Sequence, residues 1–377
     1  MPFRGANVLI LGIETSCDET SAAVVEAPDA SVGLGKSQPN LIIRSNVIAS
    51  QTDLHSRFGG VVPEIASRRH VEAILPTIQE ALDVAGTNLD SIDCVAVINR
   101  PGLIGALIVG VAAAKSIAYT HGIPLVPVHH LEAHIYANWL SSTTQKQPFS
   151  EIAETRIQFP AVCLVVSGGH SDLLIMIDHG HYHMVGRTVD DAAGEAFDKC
   201  ARAMGLGYPG GPIIDRLARE GNPEAIPFPR GKVGDSLNFS FSGLKTAVIR
   251  YLEAHRGEVH LPDVAASFQE AVVDVLVDHT IQAATNPPCS ITPRKIRQIL
   301  LAGGVAANSR LKSVMRQRAA EQGLEVIIPP PILCTDNAAM AAAAGYFRFC
   351  RGETAGIDLD CYATEPLEEA GATRSSV

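Results

Sequence analysis

Two histidines four residues apart are the first candidates for chemistry in this chain. They are His130 and His134, in the segment His129-His130-Leu131-Glu132-Ala133-His134. On a helix, side chains at i and i+4 lie on one face, one turn apart, so two imidazoles there can bind one transition-metal ion. Two ligands are too few for a firm site, and our candidate for a third is Asp336, at the head of the last clear helix. The alternative is a helix whose histidines have no metal role.

A histidine pair with this spacing also suggests a metalloprotease. In the zincin pattern a glutamate follows the first histidine directly and serves as general base. Leu131 occupies that place here, which argues against a protease.

Small residues form turns after several predicted strands, notably Ser167-Gly168-Gly169 and Gly303-Gly304. Glycine lets the backbone approach a ligand and present N–H groups to a phosphate or a nucleobase edge. Two such turns at matching places favour a nucleotide. Gly210-Gly211-Pro212 adds a third backbone approach, and Asp215 adds a carboxylate that could hold ribose hydroxyls or be only a helix-terminal charge.

Two further polar groups stand near these turns. Asn308 is predicted one turn into its helix, where it is either a site residue or a solvated amide. The acidic run from Asp190-Asp191 to Glu195 and Asp198 has a simpler interpretation for some of its residues, which is that they cap helices and have no other role.

Bulk properties indicate a globular, cytoplasmic protein. Its 377 residues are 46% hydrophobic and 19% charged, so they allow two domains with sizeable cores. No run is long enough to predict a membrane span, and the N-terminus has no signal-peptide layout. The eight cysteines form no CxxC pair, which favours reduced thiols. The net charge of −10 argues mildly against a free-standing nucleic-acid binder, although Arg68-Arg69 and Arg294-Lys295 with Arg297 are local basic segments.

The pattern of strands and helices repeats along the chain. Strands are predicted at residues 8–14, 21–26, 41–49, 94–98, 125–128, 161–166, 172–177, 181–187, 296–301 and 325–328. Helices are predicted at residues 63–85, 103–119, 193–204, 213–219, 243–255, 264–284, 306–322 and 336–349. Each half reads as a β-hairpin followed by strand, helix, strand and helix, which predicts an internal duplication and two similar α/β lobes with ligands in a cleft between them.

The predicted domains follow from this repeat. Residues 1–150 form an N-terminal lobe with the histidines, and residues 151–333 form a C-terminal lobe with the glycine turns, joined by a polar link at residues 141–156. Residues 334–350 form a closing helix that carries Asp336 and packs back toward the N-terminal lobe. Residues 351–377 are an acidic, weakly patterned tail that we expect to fray.

The motifs together resemble one family, the universal tRNA N6-adenosine threonylcarbamoyltransferases of the bacterial TsaD type. The resemblance covers about residues 8–350, with the motifs in the same order. The matching stretches are Gly12-Ile13-Glu14-Thr15-Ser16-Cys17-Asp18-Glu19-Thr20, Ser67-Arg68-Arg69-His70, the histidine segment, residues 165–170, residues 191–199, Phe239-Ser240-Phe241-Ser242-Gly243-Leu244-Lys245-Thr246, residues 303–308 and Cys334-Thr335-Asp336-Asn337.

The resemblance implies an actin-like (ASKHA) duplicated fold, with mixed sheets flanked by helices. It implies one transition-metal ion per chain, Fe²⁺ with Zn²⁺ as the alternative, bound by His130, His134 and Asp336, and no further catalytic residue is assigned. The residues it places on the substrate are Val165, Val166, Ser167, Gly168, Gly169, Asp198, Gly211, Asp215 and Asn308.

The implied reaction transfers a threonylcarbamoyl group from threonylcarbamoyl-AMP to N6 of adenosine-37, just 3′ of the anticodon, in tRNAs that read codons beginning with adenine. The implied partners are tRNA, a paralogous actin-like subunit (the TsaB type) and a small ATPase (the TsaE type), with no membrane. Two alternatives stay open: an ATPase or kinase of the actin-like class, which predicts no histidine pair, and a non-catalytic scaffold, against which the three retained ligands argue.

One position departs from the family pattern, which usually reads Gly-Pro-Gly where this chain has Arg100-Pro101-Gly102. A positive φ at Arg100 would strain a non-glycine residue, whereas an extended backbone before proline would accept arginine without penalty. The departure bears on the loop geometry and not on the proposed metal ligands.

Overall fold

The structure is a computed structural model that describes residues 7–28, 39–142 and 156–367. The chain divides into two compact units, each described here by itself. The first comprises Met1–His55, Val61–Ile157 and Thr335–Val377, and the second comprises Ser56–Gly60 and Gln158–Cys334. Most of the predicted link at residues 141–156 and the end of the tail lie outside the described residues.

The first unit is built on a six-stranded mixed sheet with the order β5-β4-β1-β2-β3-β6. β1, β2 and β3 are antiparallel neighbours, while β4 runs parallel to β1, β5 parallel to β4, and β6 parallel to β3. The strands are β1 (Asn7–Glu14), β2 (Glu19–Pro28), β3 (Leu41–Ser50), β4 (Cys94–Arg100), β5 (Leu125–His129) and β6 (Leu140–Ser142).

The second unit has a five-stranded sheet with the order β11-β10-β7-β8-β9. Its strands are β7 (Ala161–Val166), β8 (Ser171–Asp178), β9 (His181–Arg187), β10 (Gln298–Ala302) and β11 (Glu325–Ile327). Three antiparallel strands are again followed by two parallel ones on the other side of the first strand. The shared strand order confirms the predicted duplication.

The eight predicted helices lie close to their predicted positions, and two short helices, Thr52–Ser56 and Pro331–Cys334, were not predicted. The helices are α1 (Thr52–Ser56), α2 (Pro63–Ala85), α3 (Ile104–His121), α4 (His130–Tyr136), α5 (Ala193–Ala203), α6 (Gly210–Leu217), α7 (Ser242–Ala254), α8 (Leu261–Thr285), α9 (Ser309–Glu321), α10 (Pro331–Cys334) and α11 (Ala338–Cys350). The predicted helix at 306–322 starts only at Ser309, because residues Gly304–Ala307 form a 3-10 turn. The last helix starts at Ala338, so Asp336 precedes it.

The central strand β1 is buried on both faces, which explains its nearly continuous apolar sequence. On one face, Leu11 and Ile13 pack in a cluster with side chains of α2 and α3. On the other face lies α11, which packs against β1, β2 and β4. The middle of the first-unit sheet is therefore enclosed between helices.

Two glycines set the distance between α11 and the sheet. A Cβ at Gly12 would lie 2.1 Å from the carbonyl oxygen of Ala338, and a Cβ at Gly345 would lie 2.3 Å from the Cβ of Ala96. Backbone therefore contacts backbone where β1 meets the start of α11, two residues after Asp336.

The segment after Arg351 was predicted to fray, and the structure contradicts this as far as it describes the tail. Ala355 forms an isolated antiparallel bridge with Leu125 at the start of β5. Further on, the amide of Tyr362 donates to the carbonyl oxygen of Asn99, and Leu367 is only 1% exposed. The acidic composition gave no sign of these contacts, which are made mainly through the backbone. We call residues 355–367 the C-terminal strap.

The structure also decides the question raised by Arg100. This residue ends β4, and no described non-glycine residue has a positive φ, so the extended alternative is correct. Its side chain is buried, with one guanidinium nitrogen donating to Asn99 Oδ1 and Nε lying 3.3 Å from Glu365 Oε1. Arginine therefore fits this loop and reaches the strap.

Among the described residues, one helix passes a length-and-composition test for crossing a membrane. It is α3, with a mean hydropathy of 1.3 over 18 residues. The sequence analysis predicted no span because no apolar run reaches the length of a membrane span. α3 packs on α2 and β4, as core helices of water-soluble proteins also do, so the test is weak evidence for a span.

We predict that Gly12→Ala destabilises the protein by about 1–3 kcal/mol, the usual cost of forcing extra volume into a packed core. The new methyl group can be accommodated only if α11 moves away from β1. Urea unfolding of the purified protein measures the change. Gly243→Ala is the matched control, because Gly243 is exposed in α7 with no heavy atom within 4 Å of its Cβ position. Equal stability of the two variants would contradict the prediction.

Candidate metal centre and donor site

The metal candidates begin where β5 passes directly into α4. His129 is the last residue of β5 and the N-cap of α4, and its Nδ1 accepts a hydrogen bond from the amide of Leu131. Capping fixes the start of the helix, and His130 and His134 then lie one turn apart. Their rings are 4.6 Å apart between centroids and nearly perpendicular, and both side chains are buried.

Asp336 reaches the same place from the segment before α11. The helix is capped by Asn337, whose side chain accepts from the amide of Met340, and the amide of Ala338 donates to Ser21 Oγ on β2. Asp336 Oδ1 consequently lies 3.7 Å from His130 Nε2 and 3.2 Å from His134 Nε2. One ligand atom from each residue fits within 4.8 Å of the others. Ligands at about 2.0–2.2 Å from one ion lie roughly 3–3.5 Å apart, so the three suit a single ion.

Glu14, at the end of β1, holds the other side of His130. His130 Nδ1 lies 3.3 Å from Glu14 Oε2 and 3.1 Å from Ser16 Oγ, which leaves Nε2 directed toward Asp336. The second oxygen of Glu14 accepts from the amide of Ser16. A carboxylate on the non-ligating nitrogen is the usual support of a metal-binding histidine, since it fixes the tautomer and the ring.

The electrostatics of the two histidines differ. Burial acts to lower the pKa of His130, but the carboxylates of Asp336 and Glu14 outweigh it and raise the pKa to about 9. Burial lowers the pKa of His134 and outweighs the opposing effect of Asp336. The carboxylates therefore favour one positive charge beside His130, whether a proton or a metal ion supplies it.

His134 provides the test of whether the residues fit a metal ion. It is fully buried, and neither ring nitrogen has a partner in hydrogen-bond geometry among the described residues. A buried imidazole without hydrogen bonds is costly. A metal ion at Nε2 would satisfy the nitrogen that faces Asp336, so the donor set fits the ion.

Sequence reasoning gave no role to Glu14, Ser16 or His129. A signal for two of them was present, because β1, β4 and β5 are parallel and their carboxyl ends, Glu14 and His129 included, meet at one edge of the sheet. Ser16 lies in the turn that follows β1 and carried no signal of its own.

The predicted donor residues lie in the second unit, where four contacts close a ring. The first joins β7 to α5, since the amide of Gly194 donates to the carbonyl oxygen of Ser167. The second joins α5 to α6, since the amide of Gly210 donates to Asp198 Oδ1 over 2.7 Å. The first contact places the N-terminus of α5 against the end of β7, and the second places the N-terminus of α6 against α5.

The third and fourth contacts complete the ring. Asp215 Oδ1, on α6, accepts from the amide of Ser309 over 3.1 Å and from its hydroxyl over 2.7 Å at the start of α9. Gly303, with φ of 87°, packs against the backbone of Val166 so closely that a Cβ would lie 2.3 Å from its carbonyl oxygen. We call this set of contacts the donor ring.

The ring leaves open space at three glycines. No heavy atom lies within 4 Å of the Cβ position of Gly168, Gly169 or Gly211. Val165 and Val166 are fully buried in β7 and reach the ring only at its strand end. The turn that they enter is closed by a hydrogen bond from the amide of Ser167 to the carbonyl oxygen of His170.

One sequence expectation in this region needs correction, and one of the two alternatives left open for Asp215 is excluded. Asn308 is not one turn into its helix but is the N-cap of α9, where Oδ1 accepts from the amide of Leu311 and Nδ2 donates to Gln269. Asp215 is not a helix-terminal charge of its own helix. It caps a different helix, and its second oxygen pairs with Arg219.

The acidic run before α5 separates into two roles. Asp190 accepts from the amides of Phe241 and Ser242 and so caps α7. Asp191 bridges Lys199 and Lys245. Burial acts to raise the pKa of Asp191, but the two ammonium groups outweigh it and hold that pKa below its usual range.

Comparison with solved structures gives the fold. The chain is similar to full-length HypF in its phosphate- and nucleotide-bound form, with a TM-score of 0.52 and 13% identity over 91% of this chain and 55% of that one. It is similar to HypF from T. kodakarensis, with a TM-score of 0.53 and 15% identity over 94% and 49%. The chain spans about half the length of these proteins, and at such identity the likeness concerns the fold alone. The fold is the predicted actin-like (ASKHA) α/β fold.

Comparison of sequences gives the family. Residues 42–343 match the family tRNA N6-adenosine threonylcarbamoyltransferase, TsaD. Enzymes of that name are 51% identical over 354 residues in Symbiobacterium thermophilum (93% of this chain, 95% of the relative) and 53% identical over 352 residues in Dehalococcoides mccartyi (93% and 97%). The Clostridium botulinum enzyme is 48% identical over 367 residues (96% and 99%). The chain therefore belongs to the tRNA N6-adenosine threonylcarbamoyltransferase family and is a transferase that places a threonylcarbamoyl group on N6 of an adenosine in tRNA.

Proposed function

We propose that the chain takes the threonylcarbamoyl group from threonylcarbamoyl-AMP and delivers it to adenosine-37, using a metal ion bound by His130, His134 and Asp336. The observation that carries this proposal is the convergence of the three ligands, with one ligand atom of each within 4.8 Å of the others and His134 Nε2 lying 3.2 Å from Asp336 without hydrogen-bond geometry. Two histidines and one carboxylate form the donor set of non-haem Fe²⁺ sites, and we assign iron, with zinc, which uses the same set, as the alternative.

The reaction needs positioning more than a strong base. N6 of the adenosine attacks the carbonyl carbon of the carbamoyl group, the bond from that carbon to the phosphate oxygen breaks, and AMP leaves with the bonding electrons while N6 loses a proton. The amine is a poor nucleophile, but the mixed anhydride is already activated. Catalysis can therefore rest on orientation and on stabilising the developing negative charge.

A metal ion bound at the three ligands would supply a Lewis acid and a template for oxygen atoms of the donor. The chain's own residues prepare that position. Glu14 and Ser16 hold the His130 ring by its Nδ1, and the caps of α4 and α11 fix the backbone on either side. The ligands are thus oriented before the ion binds, which reduces the cost of forming the site.

The donor ring supports binding of the adenylate. The N-termini of α5, α6 and α9 all belong to it, and a helix N-terminus favours phosphate through its dipole and through the N–H groups that its capping bonds leave unoccupied. The open space at Gly168, Gly169 and Gly211 allows the nucleotide to approach the backbone. We place the donor there, with contacts from Ser167, Asp198, Asp215 and Asn308.

The net charge of −10 leaves tRNA binding to local patches and partners. Arg294, Lys295 and Arg297 are all exposed before β10, and Arg68 is exposed on α2. These basic segments are the proposed contacts for the tRNA backbone. Because tRNA is the substrate, we place the enzyme in the cytoplasm. We further propose that it works there with the small ATPase of the TsaE type.

An exposed apolar surface on α2 and α3 is the proposed contact for the paralogous subunit of the TsaB type. The two helices touch where Ser67 lies against Gly105. On the following turns, Val71, Leu75 and Ile108 are each more than half exposed. Large side chains of this kind on adjacent helices are typical of a protein interface.

Removal of a ligand histidine should remove the metal. We expect purified wild-type protein to contain about one transition-metal ion per chain and His134→Ala to contain almost none, with transfer lost in parallel. Elemental analysis and a nucleoside assay by mass spectrometry measure the two. His255→Ala is the control, because His255 is exposed at the end of α7. Full metal content in a His130→Ala/His134→Ala double variant would exclude this site.

Substitution Gly169→Val should weaken donor binding and leave the fold intact. Space is open at Gly169 in the free protein, so valine fits there and would collide only with a bound nucleotide. Calorimetry with AMP should show at least about tenfold weaker binding, equivalent to ~1.4 kcal/mol. Metal content and melting temperature should match those of wild type. Unchanged AMP affinity in the folded variant would rule out donor binding at this turn.

A charge in the α2/α3 surface should prevent assembly with the paralogous subunit. Ile108→Asp places a carboxylate on this surface, and we expect it to abolish co-elution with that subunit while metal content stays unchanged. Ile332→Asp on α10 is the matched control, since Ile332 is 53% exposed and Ile108 is 52% exposed. Normal co-elution of Ile108→Asp would reject this surface as the interface.

A further inference from the structure

The C-terminal strap contacts the residues that precede the metal-binding helix at several successive points. It pairs with Leu125 at the start of β5, and the carbonyl oxygen of Asp360 accepts from Asn99 Nδ2 at the end of β4. The amide of Gly102 then donates to the carbonyl oxygen of Ala363. The strap therefore runs from the start of β5 to the carboxyl ends of β4 and β5, the edge of the sheet where α4 begins.

The contact that matters for the metal is made by His129. Its Nε2 lies 2.9 Å from the carbonyl oxygen of Glu365, and its Nδ1 accepts from the amide of Leu131. A carbonyl oxygen can only accept, so Nε2 carries the proton and donates, and Nδ1 is free to cap α4. The strap thus selects the tautomer that the cap requires.

Arg100 anchors the strap at the same residue. Its Nε lies 3.3 Å from Glu365 Oε1, an ion pair without hydrogen-bond geometry, and a second nitrogen donates to Asn99, whose own amide nitrogen donates to the strap. Arg100 and Glu365 are 10% and 18% exposed at their side chains, so the pair is weakly screened by solvent. One strap residue therefore contacts Arg100 through its carboxylate and His129 through its carbonyl oxygen.

We propose that the C-terminal strap is a positioning element for the metal centre: Arg100 holds Glu365 in place, and the carbonyl oxygen of Glu365 holds His129, the cap of the helix that carries His130 and His134. Arg100, His129 and Glu365 are positioning residues and not metal ligands. This inference rests on the proposed metal centre.

The test measures metal affinity in the full chain stripped of metal, with Zn²⁺ in competition with a chromogenic chelator. Loss of an outer-shell partner typically weakens metal binding by about 10- to 100-fold. We expect the Zn²⁺ affinity of Arg100→Ala to fall by about 3- to 10-fold, a smaller loss because Arg100 acts on the ligands only through Glu365 and His129. Arg100→Lys should recover part of this affinity. His129→Asn should lose about 10-fold, because asparagine can still cap α4 but is too short to reach Glu365.

A control separates positioning from general destabilisation. Arg310→Ala removes an ion pair with Glu270 in the second unit, where Arg310 makes two hydrogen bonds. It should lower the melting temperature and leave the Zn²⁺ affinity unchanged. An equal loss of affinity in Arg310→Ala and Arg100→Ala would overturn the positioning role.

The remaining outcomes distinguish the two proposals. If wild type binds one Zn²⁺, His134→Ala does not, and Arg100→Ala and His129→Asn both bind as wild type does, the metal centre stands and the strap inference is wrong. If wild type and His134→Ala bind Zn²⁺ equally, the metal centre itself is wrong and the strap inference is wrong with it.

Discussion

The close approach of α11 to the first-unit sheet is the constraint on which the proposed metal centre depends. Gly12 and Gly345 allow the helix backbone to lie against β1 and β4, and a Cβ at either position would meet an atom within 2.3 Å. The helix is rich in alanine, which keeps the interface thin along its length. Because Asp336 stands two residues before the helix, this packing decides where a carboxylate distant in sequence meets the two histidines.

A buried ion pair fixes α11 relative to α4 in the same way. Glu132, between the two histidines, accepts from Arg348 on α11 over 2.8 Å, and both side chains are almost fully buried. Such pairs seldom add net stability, because removing two charges from water offsets their attraction. Their value here is in orientation, since a helix that rotated would leave a buried charge without its partner. α4 thus has Asp336 on its histidine side and Arg348 on its glutamate side, both supplied by the same part of the chain.

Features that depend on local pattern could be predicted from the sequence, whereas features that depend on contacts between distant backbone segments could not. The strands, most helices and the HxxxH pair follow from periodicity and spacing, and the duplication follows from two matching turns. The strap could not be predicted, because its contacts are made through backbone groups of residues such as Ala355 and Tyr362, whose side chains do not specify them. The cap at Asn308 was missed because Gly304–Ala307 form a 3-10 turn, and in the sequence these residues continue the helical pattern of α9. Arg100 illustrates the same limit: spacing left two backbone conformations open, and only its place at the end of β4 decided between them.

The donor ring shows how carboxylates can serve a site through the backbone. Asp198 accepts from the N-terminal amide of α6 and Asp215 from the N-terminal amide of α9, so each joins two elements of the ring before any ligand is considered. A carboxylate has two oxygens and about four acceptor positions, so these bonds do not exhaust its capacity. The ring geometry nevertheless depends on them, and the open glycines keep their positions only while the helices stay joined. Loss of either carboxylate would therefore move the backbone that we propose meets the phosphate, and a weaker donor affinity alone would not tell a direct contact from a displaced turn. The backbone at Gly168, Gly169 and Gly211 is consequently the more direct surface for the donor recognition that we propose, and the two aspartates hold this backbone in place.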